Sequence, residues 1–325
     1  MNDESTSRLS NPIIATVLAI LCTVLWGSAY PSIKLGYELF AIGADDTPGK
    51  LAFAGLRFAI AGLMVLLFRS VSTKFGSKDP ASSKWQTLRA LKADQWFRIV
   101  VLGLAQTTIH YYFFYLGISY TTGAKSSILN SVSVFFSALL AHLFHANDRV
   151  SVRKGIGILI GFVAVILVNF EPGLGLSFTL RGEGFVVIAA FLTSASGLYS
   201  KKISKTIDPV LLTSAQLTFG GTLLLIIGLA IGAPFPYGGF AGYLLLGYMA
   251  LLSAVAFSVW TSLLKYNKVS SITIYNFLIP VVGTFLSALI LNESVFQVQY
   301  LVALPAVAIG IYLVNSGPKV PSVRS

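Results

Sequence analysis

The chain has 325 residues, of which 55% are hydrophobic and only 11% charged, with a net charge of +11. A water-soluble domain carries roughly a quarter charged residues, so this composition excludes an ordinary soluble fold and points to lipid as the solvent. The positive charge would suit nucleic acid, but the basic residues sit singly in short gaps between apolar runs, so nucleic acid is the weaker reading.

Ten apolar runs follow in order: 13–33, 51–68, 99–118, 126–146, 155–170, 184–200, 209–233, 239–264, 269–292 and 294–316. A spanning helix needs about 20 residues, and none of the runs alternates as a barrel strand would. The expected fold is therefore all-α and integral to the membrane, with ten spans. The first run has no small-residue cleavage site and is read as a true span, not a signal peptide. It holds Trp26 and Tyr30 four apart, a candidate aromatic wall, and Pro31, a candidate hinge. The second holds Arg57, the one charged residue within the ten runs, expected to snorkel outward, with anion pairing as the alternative.

The third run carries Gln106 and His110 at helical spacing, with Thr107 and Tyr111 adjoining. A polar face turned to lipid costs several kcal/mol, so this one is expected to look inward. The fourth carries Ser127, Asn130 and Ser131 at i, i+3 and i+4, with His142 and His145 near its cytoplasmic end. In the fifth, Gly157 and Gly161 form a close-packing motif, and Arg153 and Lys154 are expected to snorkel. Ser194, Ser196 and Tyr199 give the sixth a polar stretch. Trp260 in the eighth run and Tyr275 in the ninth are a second candidate aromatic wall. Thr273 and Asn276 share a face of the ninth, and Pro280 is a second candidate hinge.

Lysine and arginine set the direction. With the N-terminus inside, 18 fall on the cytoplasmic side and 4 (Lys34, Lys50, Lys125 and Arg181) on the other. Both termini are expected in the cytoplasm. Short loops and no organelle signal suit a bacterial inner membrane.

The halves also resemble each other. A shift of 146 lays 111–169 on 257–315 without a gap, pairing Tyr120 with Tyr266, Asn130 with Asn276, and Leu167-Val168-Asn169 with Leu313-Val314-Asn315. Residues 13–170 and 182–316 are thus expected to be two five-helix repeats. Five is odd, so the second must enter from the opposite face. Inverted repeats meeting at mid-membrane are a recurrent transporter architecture.

Several motifs carry a family resemblance. Trp26 and Gly27 followed by Lys34, the Arg57-Phe58 pair, and Asn276-Phe277-Leu278-Ile279-Pro280-Val281 followed by Asn292-Glu293 resemble EamA-type permeases of the drug/metabolite transporter superfamily. The fourth run departs from the pattern, with Val134 where its repeat partner has Pro280, and Asn147-Asp148-Arg149 where many members have Glu-Arg. The resemblance implies ten helices, an internal N-terminus, and a cavity lined mainly by helices 1, 3, 4, 6, 8 and 9. It also implies transport of amino acids, other metabolites or drugs, often outward. Alternating access by an exporter or exchanger of amphipathic solutes is the expected function.

A nucleotide-sugar or sugar-phosphate exchanger is the nearest rival and would need several cavity cations. A channel is a further rival. An intramembrane enzyme would need paired carboxylates, a zinc motif or a nucleophile with its base, and the sequence shows none. No cofactor or metal is expected. The expected partners are a small-molecule solute and the bilayer, with a homodimer left open as the assembly.

Overall fold

The structure, a computed structural model, describes residues 8–76, 88–121, 123–168, 178–290 and 298–316; within these it is helical and has no β-strand. Helix α1 spans Pro12–Leu39. Asn11 caps it, accepting from Ile13 N at 2.9 Å, and Pro12 fills the first position, where a missing N–H costs nothing. Helix α2 is Thr47–Gly76. Helix α3, Ala93–Ser119, passes through a π turn at Leu104–Ile109. Helix α4 comprises Gly123–Ser131 and Ser133–Phe144, interrupted at Val132. Helix α5 is Val152–Val168.

Helix α6, Leu180–Ile203, opens with a π turn capped by Thr179. Helix α7, Pro209–Ala230, is capped by Asp208, which accepts from Leu211 N at 3.0 Å. Helix α8 is Gly239–Tyr266. Helix α9 is built of Val269–Thr273, a 3₁₀ turn Ile274–Phe277, and Leu278–Ile290. Helix α10 is Val298–Asn315. The Asn292-Glu293 motif and residues 77–87 of the basic loop lie outside the described residues.

By length and composition, seven of these can cross a bilayer: α1, α2 over Thr47–Ser70, α3, α4 over Ser126–Phe144, α6, α7 and α8. α5, with 17 residues, and the stretches Val269–Gly283 of α9 and Val302–Asn315 of α10 are shorter and apolar. The bundle's outside is itself oily, with Phe68, Phe144 and Phe240 each more than seven-tenths exposed, a surface that water would not tolerate in quantity.

Helix α2 packs most extensively on α7, and α5 on α10. Glycines permit both approaches. A Cβ on Gly55 would lie 2.2 Å from Leu225 N, and one on Gly221 2.4 Å from Ala59 N. Gly157 meets Gly310 so closely that a Cβ on either would lie within 2.8 Å of the other's carbonyl oxygen. Gly161 faces the Phe277 ring, so the motif in α5 packs against two helices at once. Helix α1 lies on α8 and α9, while α6 lies on α3 and α4.

Polar ties fasten the two ends. At one, Asn267 donates to Leu9 O at 3.0 Å and Lys201 donates to Leu264 O at 2.7 Å and to Asn267 O. The start of α1, the end of α6 and the α8–α9 turn therefore meet. Near them Asp148, only 2% exposed, pairs with Lys154 at 2.7 Å and accepts from Ser270 N at 2.9 Å. Lys154 does not snorkel, as the sequence suggested; this buried ion pair holds it inward, and it also donates to Ser270 Oγ at 2.9 Å. Elsewhere Thr121 donates to Glu183 at 2.8 Å, tying the α3–α4 turn to the start of α6.

Candidate functional site

Two helices lose regular α geometry at matching places. In α4, Val132 N bonds Leu129 O at 3.1 Å, a three-residue step. In α9 the 3₁₀ turn Ile274–Phe277 does the same, and the 146-residue shift places 129 on 275 and 132 on 278. In α9 the cause is Pro280, whose missing N–H and ring disrupt the bond to the carbonyl of Asn276. In α4, Val134 stands at that place, so its break arises without proline. Asn130 and Asn276 sit at these two breaks. Irregular backbone at membrane depth survives only where protein buries it or a wet cavity receives it.

Aromatic side chains converge beside the breaks. Trp26 meets Trp260 edge-on, with ring centres 5.0 Å apart, and Phe257 at 5.4 Å. Phe257 meets Phe58 at 6.2 Å, and Phe58 meets Tyr111 at 4.4 Å. Tyr30 lies within hydrogen-bonding reach of the Asn130 side chain and packs on Gly283 of α9. Seven expected residues or neighbours thus form one seam from α1, α2, α3, α4 and α8. The two tryptophans, assigned to separate walls from sequence, share one wall. Pro31 is buried within α1, which continues through it; Gly27, whose carbonyl that proline leaves without its helical donor, approaches Val282 and Gly283.

Other expected residues face elsewhere. Thr107 is buried and donates to Gln216 of α7 at 2.8 Å. His110, 9% exposed, turns Nδ1 towards Ala189 O at 3.0 Å and Thr193 Oγ1 at 2.9 Å on α6. The π turn at Leu104–Ile109 winds the helix wider, so Gln106, half-buried, and His110 do not stack as an ordinary i, i+4 pair. Ser131 and Thr273 bond carbonyls of their own helices, at 2.6 and 3.0 Å. Ser127 is buried. Ser196 is too, and its hydroxyl has no partner among the described residues. Tyr199 packs against the cluster that includes Ile203, Leu211 and Leu212, whereas the tryptophans belong to another. Tyr275 bonds Thr16 at 2.7 Å and, with Tyr312 and Asn315, lines a separate groove of about 370 Å³ between α1, α9 and α10. Asn276 Oδ1 is buried without a partner among the described residues.

Arg57 departs most from expectation. It is 3% exposed and does not snorkel; its Nε donates to Ser253 Oγ at 3.0 Å and Met249 O at 3.2 Å on α8. Around it stand Tyr37, Tyr111 and Tyr115, each close enough to feel its charge. Sequence reasoning missed Tyr37 and Tyr115, although Tyr111 and Tyr115 are four apart on one helix.

The EamA-like transporter family model matches residues 13–170 and again 180–316. The chain belongs to this family. It is a multi-pass membrane transporter of the drug/metabolite superfamily, and similar proteins bear matching descriptions. An uncharacterized transporter of Archaeoglobus fulgidus is 26% identical over 282 residues, covering 86% of this chain and 89% of that one. Another, from Synechocystis, is 25% identical, covering 95% and 92%. A WAT1-related chloroplastic protein of Arabidopsis thaliana is 26% identical, covering 89% of this chain and 66% of that one. A solved crystal structure superposes with a TM-score of 0.71 at 14% identity, over 93% of this EamA-family chain and 96% of the other, a likeness of fold.

Proposed function

We propose that this EamA-family protein moves a small amphipathic solute, amino-acid-like or similar, by alternating access between two inverted five-helix repeats, 13–170 and 182–316. The solute is taken up at the Trp26–Trp260 seam, between the broken helices α4 and α9. Ten spans, both termini in the cytoplasm and a bacterial inner membrane complete the reading, with export or exchange as the direction.

The matched breaks at Asn130 and Asn276 carry the proposal, because discontinuous helices at mid-membrane are where transporters place their solutes. The packing supports it. Exchanging each helix for the one five places along turns α1–α9 into α6–α4 and α8–α2 into α3–α7, and leaves α2–α7 and α5–α10 unchanged; all of these contacts are made. The fastenings support inversion, since α1 begins where α6 ends. Two similar bundles of opposite sense have two nearly equivalent arrangements, one open to each face. Pro280 and Pro31 are the hinge candidates.

The test is transport by the purified chain in liposomes, using labelled amino acids and related metabolites. The double change Asn130→Ala with Asn276→Ala is expected to abolish most flux while the protein stays folded. Flux at the normal rate for every transported solute would remove the asparagine-flanked site.

A further inference from the structure

Arginine carries five N–H donors and stays charged at every physiological pH. At Arg57 only Nε is engaged, by Ser253 and Met249; Nη1 and Nη2 have no protein acceptor among the described residues. No carboxylate there pairs with it either. Yet the residue is 97% buried, and Ser253 stands at the fifteenth of the 28 residues of α8, near mid-depth. A fixed charge at that depth calls for an opposite charge.

The surroundings say what kind. The Tyr37 hydroxyl is buried beside it, within hydrogen-bonding reach of Tyr115 in the same group. The guanidinium carbon lies 5.0 Å from the Phe58 ring centre, and from Phe58 the aromatic seam runs through Phe257 to Trp26. One planar cation with free N–H groups at the end of an apolar wall matches a carboxylate at the end of an apolar chain. A phosphate monoester, with nearly two charges, would want a second cation, and Lys50 is occupied by Ala44 O and Ser119.

We infer that Arg57, braced by Ser253, is the subsite for the carboxylate of the transported solute, so that the substrates are small carboxylic acids with an apolar body. This rests on the transport reading above and narrows it.

Isothermal titration of the purified full-length chain tests it. The probes are 3-phenylpropionate and leucine, each against its amide, with inorganic phosphate as a further ligand. The acids are expected to bind at least tenfold more tightly than the amides. Arg57→Gln should bring that ratio close to one, and Arg57→Lys should keep part of it. A merely structural arginine would weaken acid and amide alike and leave the ratio alone. Equal binding of acid and amide by the natural protein, binding of neither acid, phosphate bound as tightly as the acids, or a ratio unchanged in Arg57→Gln would each overturn the assignment. Should Arg57→Gln fail to fold, the natural ratio and Arg57→Lys still decide. Liposome flux of the same probes separates the two readings. Selective binding without flux keeps the carboxylate subsite and removes transport, whereas equal flux of acids and amides removes the subsite alone.

Discussion

The α2–α7 seam should respond to a single methyl group. In Gly55→Ala, the new Cβ would stand 2.2 Å from Leu225 N, 2.6 Å from Leu225 Cα and 2.8 Å from Gly221 O, all backbone atoms that cannot swing aside. Ordinary contact begins near 3.4 Å, so the helices must part locally by about 1.2 Å. Overpacking of this kind costs about 1–3 kcal/mol, against which a helical Gly→Ala change returns about 1 kcal/mol. Lost contacts along the opened seam add to the cost, and a net loss of about 2 kcal/mol is expected. The same opening shifts Arg57, two residues further along α2.

Cys22, the only cysteine and fully buried, supplies the assay, because a thiol-reactive fluorogenic dye reaches it only on unfolding. In detergent, Gly55→Ala should label several degrees below the natural protein. Gly247→Ala, where an added Cβ meets nothing within 4 Å, should label at the same temperature or higher. Equal labelling temperatures for the two variants would refute the close-approach argument.

Asp148→Ala should cost about 3–5 kcal/mol by stranding Lys154, and Asp148→Leu with Lys154→Met should recover much of that in the same melting assay; a double variant no better than the single one would contradict a buried ion pair. Trp26→Ala should raise the half-saturating solute concentration about tenfold, or about 1.4 kcal/mol, while Trp26→Phe keeps most of the affinity. Saturation curves from the liposome assay decide, and an unchanged value for Trp26→Ala would take the tryptophan out of the solute wall.

The apolar runs were legible because lipid demands length and oiliness, properties that a composition window reads directly. Helix ends were not. α1 continues from 33 to Leu39 through Lys34 and Glu38, since a helix projecting beyond the oily stretch tolerates charge. The direction in which a polar side chain faces was harder still. Thr107 and Gln106 are neighbours, yet one is buried against α7, and the π turn beneath them changes the angle per residue on which helical-face arguments rely. For Arg57 the sequence shows its distance along α2, which suggests snorkelling, but not its partners on α8, about 195 residues away in sequence. Asp148 and Glu183 read as loop carboxylates for the same reason.

The fastenings at the two ends differ in chemistry. The Asn267 end relies on an aspartate–lysine pair and a lysine reaching backbone carbonyls, whereas at the Thr121 end Glu183 accepts from the hydroxyls of Thr121 and Thr179 and from the Thr179 N–H. On the proposed reading of two inverted repeats, fastenings of unlike make-up would not hold the two faces with equal firmness. A single exchange at either fastening, remote from any solute, would then shift the population between the two proposed facings and change the rate of transport, while the solute gradients still decide its direction.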